Sequence, residues 1–240
     1  MKYQLETIPV WKAIAASAPC PLCFLADQLE SQYVRFYVGD SVMTPEIRVT
    51  VNRTGFCPRH FQLMNDAGNK LGVSLMTATH IESIRERLRD DSRRLIRLAS
   101  RRSPRAAKAY RATVAEMEAR NRSCLVCDRM DHTMRNYAYT LARMYGDESA
   151  FREAFDASSG ICIGHLPFVC EVARDSLAPR RREEFFAALF EIVDRDLEEI
   201  HGDLGEFAER FDYRNSRPMT EALRNVVPRA IRKLTGRLLV

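Results

Sequence analysis

Six of the seven cysteines in this 240-residue chain, with two of its five histidines, form short paired motifs. Each half of the chain contains a Cys-x2-Cys pair and a later Gly-x-Cys-x2-His segment, with 33 or 34 residues between the second and third cysteine. Three thiolates and one imidazole are ligands that tetrahedral Zn²⁺ accepts readily. The order predicts two metal sites: Cys20, Cys23, Cys57 and His60 in the first half, and Cys124, Cys127, Cys162 and His165 in the second.

Each predicted quartet fills the coordination sphere of zinc, whereas catalytic zinc sites usually keep one position for water. We therefore predict two structural zinc ions per chain. One alternative is an iron–sulfur redox protein, because cysteines at helix starts can also hold a cluster. Thiol–disulfide exchange through a Cys-x2-Cys pair is a further alternative, although its usual βαβ context is absent from the sequence. A metal- or thiol-dependent enzyme thus stays open beside a structural role.

The two halves match at an offset of 104 residues for the first motif and 105 residues for the second, which indicates an internal repeat. Asp27 and Asp131 belong to this match, and each lies one helical turn beyond the second cysteine of its half. A carboxylate there can accept the ring N–H of a histidine ligand and orient the ring. We predict this supporting role for Asp27 toward His60 and for Asp131 toward His165; the alternative is that both aspartates lie on a solvated helix face.

Helix signals explain how the ligands in each half present themselves. Pro21 and Pro58 each follow a cysteine, and proline is favoured at the first position of a helix because its missing N–H would have no partner there. Residues three apart share a helix face, so each motif presents two ligands from one turn. The positive end of the helix also favours thiolate over thiol.

Helical periodicity continues through the remainder of the chain, and no series of alternating residues indicates strands. Pro45, Pro104 and Pro179 predict further helix starts, and Pro228 predicts the start of the last helix. Residues 69 to about 100 form a predicted long helix whose buried face consists of Leu71, Leu75, Ile81, Ile84, Leu88, Leu95 and Leu98.

These signals predict an all-α protein made of two metal-clamped helical repeats joined by a long helical connector. The predicted domains are a first Cys3His repeat at residues 1–100, a basic connector at 101–123, a second Cys3His repeat at 124–212, and a C-terminal tail and helix at 213–240 that packs on the repeats.

Positive charge is concentrated around the connector. Residues 85–122 contain thirteen Lys or Arg and five Asp or Glu, a formal charge of +8, whereas the whole chain carries +5. Two Cys3His zinc sites would each carry −1 and lower the total to +3. Nucleic-acid binding through this segment is an alternative to a protein-interaction or scaffold role. However, Tyr110 is the only aromatic residue there, so the stacking platform expected for single strands is missing.

Composition narrows the class of protein. A hydrophobic content of 46% excludes a disordered chain, and no apolar run approaches the roughly 20 residues that cross a bilayer. The N-terminal sequence MKYQLETIPVW lacks the apolar core of a signal peptide. Cysteines in ligand motifs suit a reducing compartment. We therefore expect a cytoplasmic protein with a protein partner and without membrane contact.

The motifs CPLC, GFCPRH, CLVC and GICIGH are followed by DYRN at residues 212–215 and VPRAIRKLTG at residues 227–236. This order resembles a prokaryotic family of unknown function, whose members are sometimes labelled ABC transporter substrate-binding proteins. The resemblance covers nearly the whole chain. Within its C-terminal motifs, Arg214 and Arg229 are candidates for a small-anion site. The alternative is an Asp–Arg pair that clamps the tail onto the repeats.

Overall fold

A computed structural model of the chain describes residues 6–211 and 218–236, with the backbone alone at Asp40. These residues form helices and turns and contain no strand, which confirms the predicted all-α class. The helices are α1 (Thr7–Ala15), α2 (Pro21–Val38), α3 (Pro45–Thr54), α4 (Pro58–Asp66), α5 (Lys70–Ala99), α6 (Pro104–Arg122), α7 (Leu125–Asp147), α8 (Ser149–Asp156), α9 (Leu166–Ser176), α10 (Pro179–Glu209), α11 (Glu221–Arg224) and α12 (Val226–Thr235), with a 3-10 turn at Asp40–Met43.

Proline positions predict the helix starts well. Five prolines are each the first residue of a helix, as predicted: Pro21, Pro45, Pro58, Pro104 and Pro179. The exception is Pro228, which lies in the first turn of α12 because that helix begins two residues earlier, at Val226. None of the described helices combines the length and the apolar composition that crossing a bilayer requires.

The helices pack into two compact units. The terminal unit contains Met1–Gln28 and His132–Val240, and the central unit contains Leu29–Asp131. The unit boundaries fall inside α2 and α7, so each of these helices begins in one unit and ends in the other. This division differs from the repeats and connector drawn from the sequence, because residues 101–123 lie wholly inside the central unit.

Within the central unit, α5 and α6 form an antiparallel hairpin. Asp91 pairs with Arg120, and Arg94 lies 3.2 Å from Glu116, so later residues of one helix meet earlier residues of the other. The hairpin carries the chain back toward the segment that precedes α4. There the N–H of Leu125, at the start of α7, donates to the carbonyl of Gly55 at 3.1 Å.

The predicted buried face of α5 is largely wrong. Met76 and His80 are the large side chains that α5 buries, whereas five of the seven predicted core residues are exposed: Leu71, Leu75, Ile81, Ile84 and Leu88. The apolar row has the spacing of a core-facing helix, but the part of the chain that the structure describes covers it only partly. A sequence pattern identifies an apolar face without identifying what packs on it.

The terminal unit has an aromatic core, and an ion pair within this unit joins α12 to α10. The rings of Phe151, Phe155 and Phe185 are fully buried. Nζ of Lys233, on α12, is also fully buried and lies 2.8 Å from Oδ2 of Asp196 on α10. A buried cation requires such a partner, because removing either charge would leave the other unpaired in a dry environment. This ion pair therefore fixes the position of α12 against α10.

Substitution of Gly55 tests the local geometry of the first Gly-x-Cys-x2-His segment. Its φ angle is +73°, and a Cβ atom would lie 2.5 Å from Nε2 of His80. We expect Gly55→Ala to destabilise the chain by about 1 to 2 kcal/mol through the left-handed backbone and by more through the overlap. Urea unfolding of the purified variant measures the change.

Gly68→Ala is the matched control. Gly68 has a φ angle of +90°, but no heavy atom lies within 4 Å of the position of its Cβ. This variant carries the backbone strain without the overlap. Equal destabilisation by the two substitutions would contradict the close packing of His80 on Gly55.

Candidate metal centres

The eight predicted ligands form two clusters, and each cluster combines motifs from both halves of the sequence. In each cluster the four ligand atoms all lie within 4.8 Å of one another. The terminal cluster consists of Cys20, Cys23, Cys162 and His165, and the central cluster consists of Cys57, His60, Cys124 and Cys127.

The predicted pairing within each half, Cys20 and Cys23 with Cys57 and His60, is therefore wrong. Cys23 lies in the first turn of α2, whereas Tyr37, near the other end of α2, packs against Phe56 with ring centroids 5.0 Å apart. Fourteen residues of helix separate Cys23 from Tyr37 by about 21 Å. Phe56 precedes Cys57 directly, and Cys57 converges with Cys124 and Cys127 instead of with Cys23.

The route of the chain explains which cysteines meet Cys57 instead. Helices α5 and α6 run out and back, so the start of α7 returns to the segment around Gly55. Ser123 reinforces this return, because its hydroxyl donates to the carbonyl of Thr54 at 2.8 Å. The next residue is Cys124, which consequently lies beside His60.

In the central cluster the ring of His60 faces all three sulfur atoms. Its Nδ1 lies 3.1 Å from Sγ of Cys57, 3.3 Å from Sγ of Cys124 and 3.4 Å from Sγ of Cys127. The Sγ atoms of Cys57 and Cys127 are 4.0 Å apart. Cys124 and His60 are buried, whereas Cys127 is exposed, so one side of this cluster is open to solvent.

The terminal cluster has the same ligand arrangement in a more enclosed environment. Nδ1 of His165 lies 3.2 Å from Sγ of Cys162, 3.4 Å from Sγ of Cys23 and 3.8 Å from Sγ of Cys20. The Sγ atoms of Cys23 and Cys162 are 3.6 Å apart, and all three cysteines are buried.

Helix α12 covers the terminal cluster. The N–H of Ile163 donates to the carbonyl of Lys233 at 2.8 Å, which ties the Cys-x2-His segment to the last turn of α12. A Cβ atom at Gly236 would lie 3.4 Å from Sγ of Cys162 and 3.8 Å from Sγ of Cys23. The C-terminal helix thus limits solvent access to these ligands.

Both clusters fit one tetrahedral metal ion. Metal–sulfur distances of about 2.3 Å and metal–nitrogen distances of about 2.0 Å give tetrahedral edges of about 3.5 to 3.8 Å. The separations given above, from 3.1 to 4.0 Å, bracket these values. All seven cysteines are free thiols, so the short sulfur–sulfur distances do not come from disulfide bonds. The clusters are therefore compatible with metal binding.

Electrostatics in the central cluster favours a cation. Burial opposes ionisation of Cys124, but the ring of His60 and the backbone N–H groups of Cys127 and Cys57 lower the pKa of Cys124 to about 6. Burial and the neighbouring sulfur of Cys124 raise the pKa of Cys127. Burial alone would lower the pKa of His60, but Cys124 and Glu30 raise it to about 10. The sulfur atoms cannot all ionise together unless a positive charge lies between them.

The same conflict exists in the terminal cluster. Although burial acts in the opposite direction, hydrogen bonds from Cys162, Cys23 and His165 hold the pKa of Cys20 well below its ordinary value. Hydrogen bonds with Cys162 and Cys20, together with burial, raise the pKa of Cys23. Burial alone would lower the pKa of His165, but the sulfur atoms of Cys162 and Cys20 raise it to about 10. A bound dication would displace these protons and stabilise the thiolates.

Glu30 is a functional residue that sequence reasoning missed. Oε1 of Glu30 lies 3.1 Å from Nε2 of His60, so its carboxylate accepts the ring N–H and leaves Nδ1 for the cluster. Arg59 holds the carboxylate with two hydrogen bonds of 3.1 Å each. The residue that matches Glu30 in the second half is Met134, so the repeat gives no signal for it.

The aspartate predicted to support His60 is thus replaced by Glu30. Oδ2 of Asp27 lies 3.6 Å from Nη2 of Arg232. Support of His165 by Asp131 stays a prediction.

Arg229 and Cys170 are not among the ligands of either cluster. Arg229 pairs with Asp203 and lies 3.7 Å from Glu199, so its charge already meets two carboxylates of α10. Arg214, its predicted partner in an anion site, lies outside the described residues. Cys170 is half-buried, and burial raises the pKa of its thiol.

Paired cysteine variants distinguish the crossed grouping from pairing within each half. We expect Cys57→Ser with Cys124→Ser to remove one metal ion per chain, because both ligands belong to the central cluster. We expect Cys20→Ser with Cys57→Ser to remove both ions, because it takes one ligand from each cluster. Elemental analysis of the purified variants measures the metal content. Loss of both ions in the Cys57→Ser, Cys124→Ser variant and of one ion in the Cys20→Ser, Cys57→Ser variant would show that each half binds its own ion.

The contact between Glu30 and His60 predicts a specific loss of affinity. We expect Glu30→Gln to weaken metal binding at the central cluster about 10- to 100-fold, because the ring of His60 loses its carboxylate acceptor. Titration against a chromogenic chelator measures the affinity. Glu82→Gln, an exposed substitution elsewhere in the central unit, is the control. Equal affinity of the two variants would contradict the role of Glu30.

Comparison with known proteins identifies the family. Searches of the curated proteins and of the solved structures found no match. A family model described as a family of unknown function, DUF6062, matches residues 1–239. Since the match spans nearly the whole chain, it confirms the predicted membership of a family of unknown function. The protein belongs to the DUF6062 family.

Proposed function

We propose that this protein is a zinc-binding helical scaffold in which two structural Cys3His zinc ions hold the helices together and the surface binds another protein. The observation that carries the metal part is the convergence of four ligand atoms within 4.8 Å in each cluster. These ligands come from segments up to 145 residues apart in the sequence. A bound ion would cross-link those segments and stabilise the fold.

The donor set supports zinc. An iron–sulfur cluster places iron and inorganic sulfide between its cysteine ligands, which separates the sulfur atoms further than a single ion does. The short sulfur–sulfur distances in both clusters therefore favour one ion over a cluster. Three thiolates with one imidazole are ordinary ligands of structural zinc, and four protein ligands leave no position for a substrate.

The state of the thiols supports a reducing compartment. Both clusters need thiolate ligands, and any disulfide bond among them would remove two ligands at once. We propose a cytoplasmic location on this ground.

Metal removal tests the proposed function. We expect the purified chain to contain two zinc ions and neither iron nor acid-labile sulfide. We expect a strong chelator to lower the unfolding midpoint in urea and the helical circular dichroism signal, because a structural zinc ion contributes about 10 to 16 kcal/mol. Iron with inorganic sulfide, or an unchanged fold after complete removal of the metal, would contradict the proposal.

Metal replacement provides the control. Added zinc should restore the unfolding midpoint, whereas magnesium should not, because Mg²⁺ requires oxygen ligands in octahedral geometry. Recovery with magnesium would indicate a general ionic effect in place of binding at the two clusters.

A further inference from the structure

Helix α5 presents a row of apolar side chains that the described residues leave half-exposed. Ile81, Ile84 and Leu88 follow the spacing i, i+3 and i+7, which places them on one helix face. Their exposed fractions are 49%, 43% and 54%. Contiguous apolar side chains on a surface mark interaction sites more often than scattered ones do. The row therefore requires an explanation that the two metal clusters do not provide.

The row borders a groove of about 510 Å³ within the central unit. Phe56 and Phe61 from the segment around α4, and Met117 from α6, line the same groove. A concave apolar surface of this kind accepts anchoring side chains from a partner helix. Its walls belong to the α5–α6 hairpin and to the segment that carries Cys57, so the groove depends on the fold around the central cluster.

The charged residues and the histidine of the groove have contacts within the protein. Arg87 donates to the carbonyls of Arg53 and Asn52, at 2.7 Å and 2.9 Å, where α3 ends. Nδ1 of His80 lies 3.2 Å from the carbonyl of Asn52. Arg120 pairs with Asp91. These contacts hold the walls in place, and they leave the apolar row as the main surface for a partner.

The positive charge of the residues around the groove favours some binding partners over others. Residues 85–122, which form most of the hairpin, carry a formal charge of +8. Two copies of this chain that met through the hairpin would bring two such segments together, and like charges at an interface oppose association. An acidic partner instead gains attraction from the same charge. The half-exposed row is aliphatic, whereas Phe56 is buried and Phe61 packs against Phe56 and His80. Nucleic-acid bases stack on exposed aromatic faces, so these two rings favour a nucleic acid less than the charge does.

We propose that this groove binds an amphipathic α-helix of another protein, with large apolar side chains at i, i+3 and i+7 and with acidic side chains on both flanks. The apolar anchors enter the groove beside Ile84, and the acidic flanks face the arginines of α5 and α6. The proposal deepens the protein-binding part of the proposed function and rests on it. It makes no use of the identity of the metal.

A designed peptide tests the proposal on the metal-loaded, full-length chain. The probe is a fluorescein-labelled 21-residue helix with leucine at the anchor positions and glutamate at the flanks. We expect saturable binding by fluorescence anisotropy, and we expect the affinity to fall as salt concentration rises. A peptide of the same composition in scrambled order has no apolar face, so it should bind at least tenfold more weakly.

Two double variants locate the binding surface. We expect Ile84→Gln with Leu88→Gln to weaken peptide binding at least tenfold. Leu71→Gln with Ile96→Gln removes two exposed apolar side chains of the same helix that do not line the groove, and it should change the affinity less than twofold. Metal content and circular dichroism establish that each variant is folded. Equal effects of the two double variants would overturn the proposal.

The remaining outcomes distinguish a helical peptide from other occupants of the groove, and this proposal from the proposed metal binding. A dimer in sedimentation equilibrium that dissociates in the Ile84→Gln, Leu88→Gln variant would overturn the proposal in favour of a second copy. Groove-dependent binding of a single-stranded oligonucleotide without peptide binding would overturn it in favour of nucleic acid. A chain that binds the peptide but contains no zinc would retain this proposal and contradict the metal part of the proposed function.

Discussion

The structure depends on the convergence of four ligand atoms from distant segments onto one point. In the terminal cluster, Cys20 and His165 are separated by 145 residues, and in the central cluster His60 and Cys127 are separated by 67 residues. The entropy cost of closing such loops grows only slowly with their length, whereas the like charges of neighbouring thiolates oppose their approach. A cation at each point would neutralise the thiolates and cross-link the chain segments that carry them.

Packing of the elements around the central cluster brings its ligands together. Antiparallel packing of α6 on α5 returns the chain to Gly55, where the backbone of Leu125 and the hydroxyl of Ser123 secure the start of α7. Glu30 and Arg59 then orient the ring of His60. The long basic hairpin is consequently part of what positions the ligands of the central cluster. The same hairpin leaves an apolar groove partly uncovered.

The two clusters share a ligand pattern but differ in their surroundings. Helix α12 covers the terminal cluster and is fixed to α10 through the buried pair of Lys233 and Asp196. The central cluster has an exposed cysteine, Cys127, and relies on the carboxylate of Glu30. The second half of the sequence has Met134 at the position that matches Glu30. Sequence similarity between the two motifs therefore describes the ligands and not their environment.

The all-α class, five helix starts and the eight residues that form the clusters follow from the amino-acid sequence alone, because proline position, apolar period and ligand spacing are local properties. The sequence did not determine which Cys-x2-Cys pair meets which Cys-x2-His segment, since both pairs carry identical ligands at identical spacing. The packing of the helices answers that question, because the α5–α6 hairpin brings Cys124 to His60. It also decided that Ile84 and Leu88 line a groove, because periodicity identifies an apolar face but not what covers it.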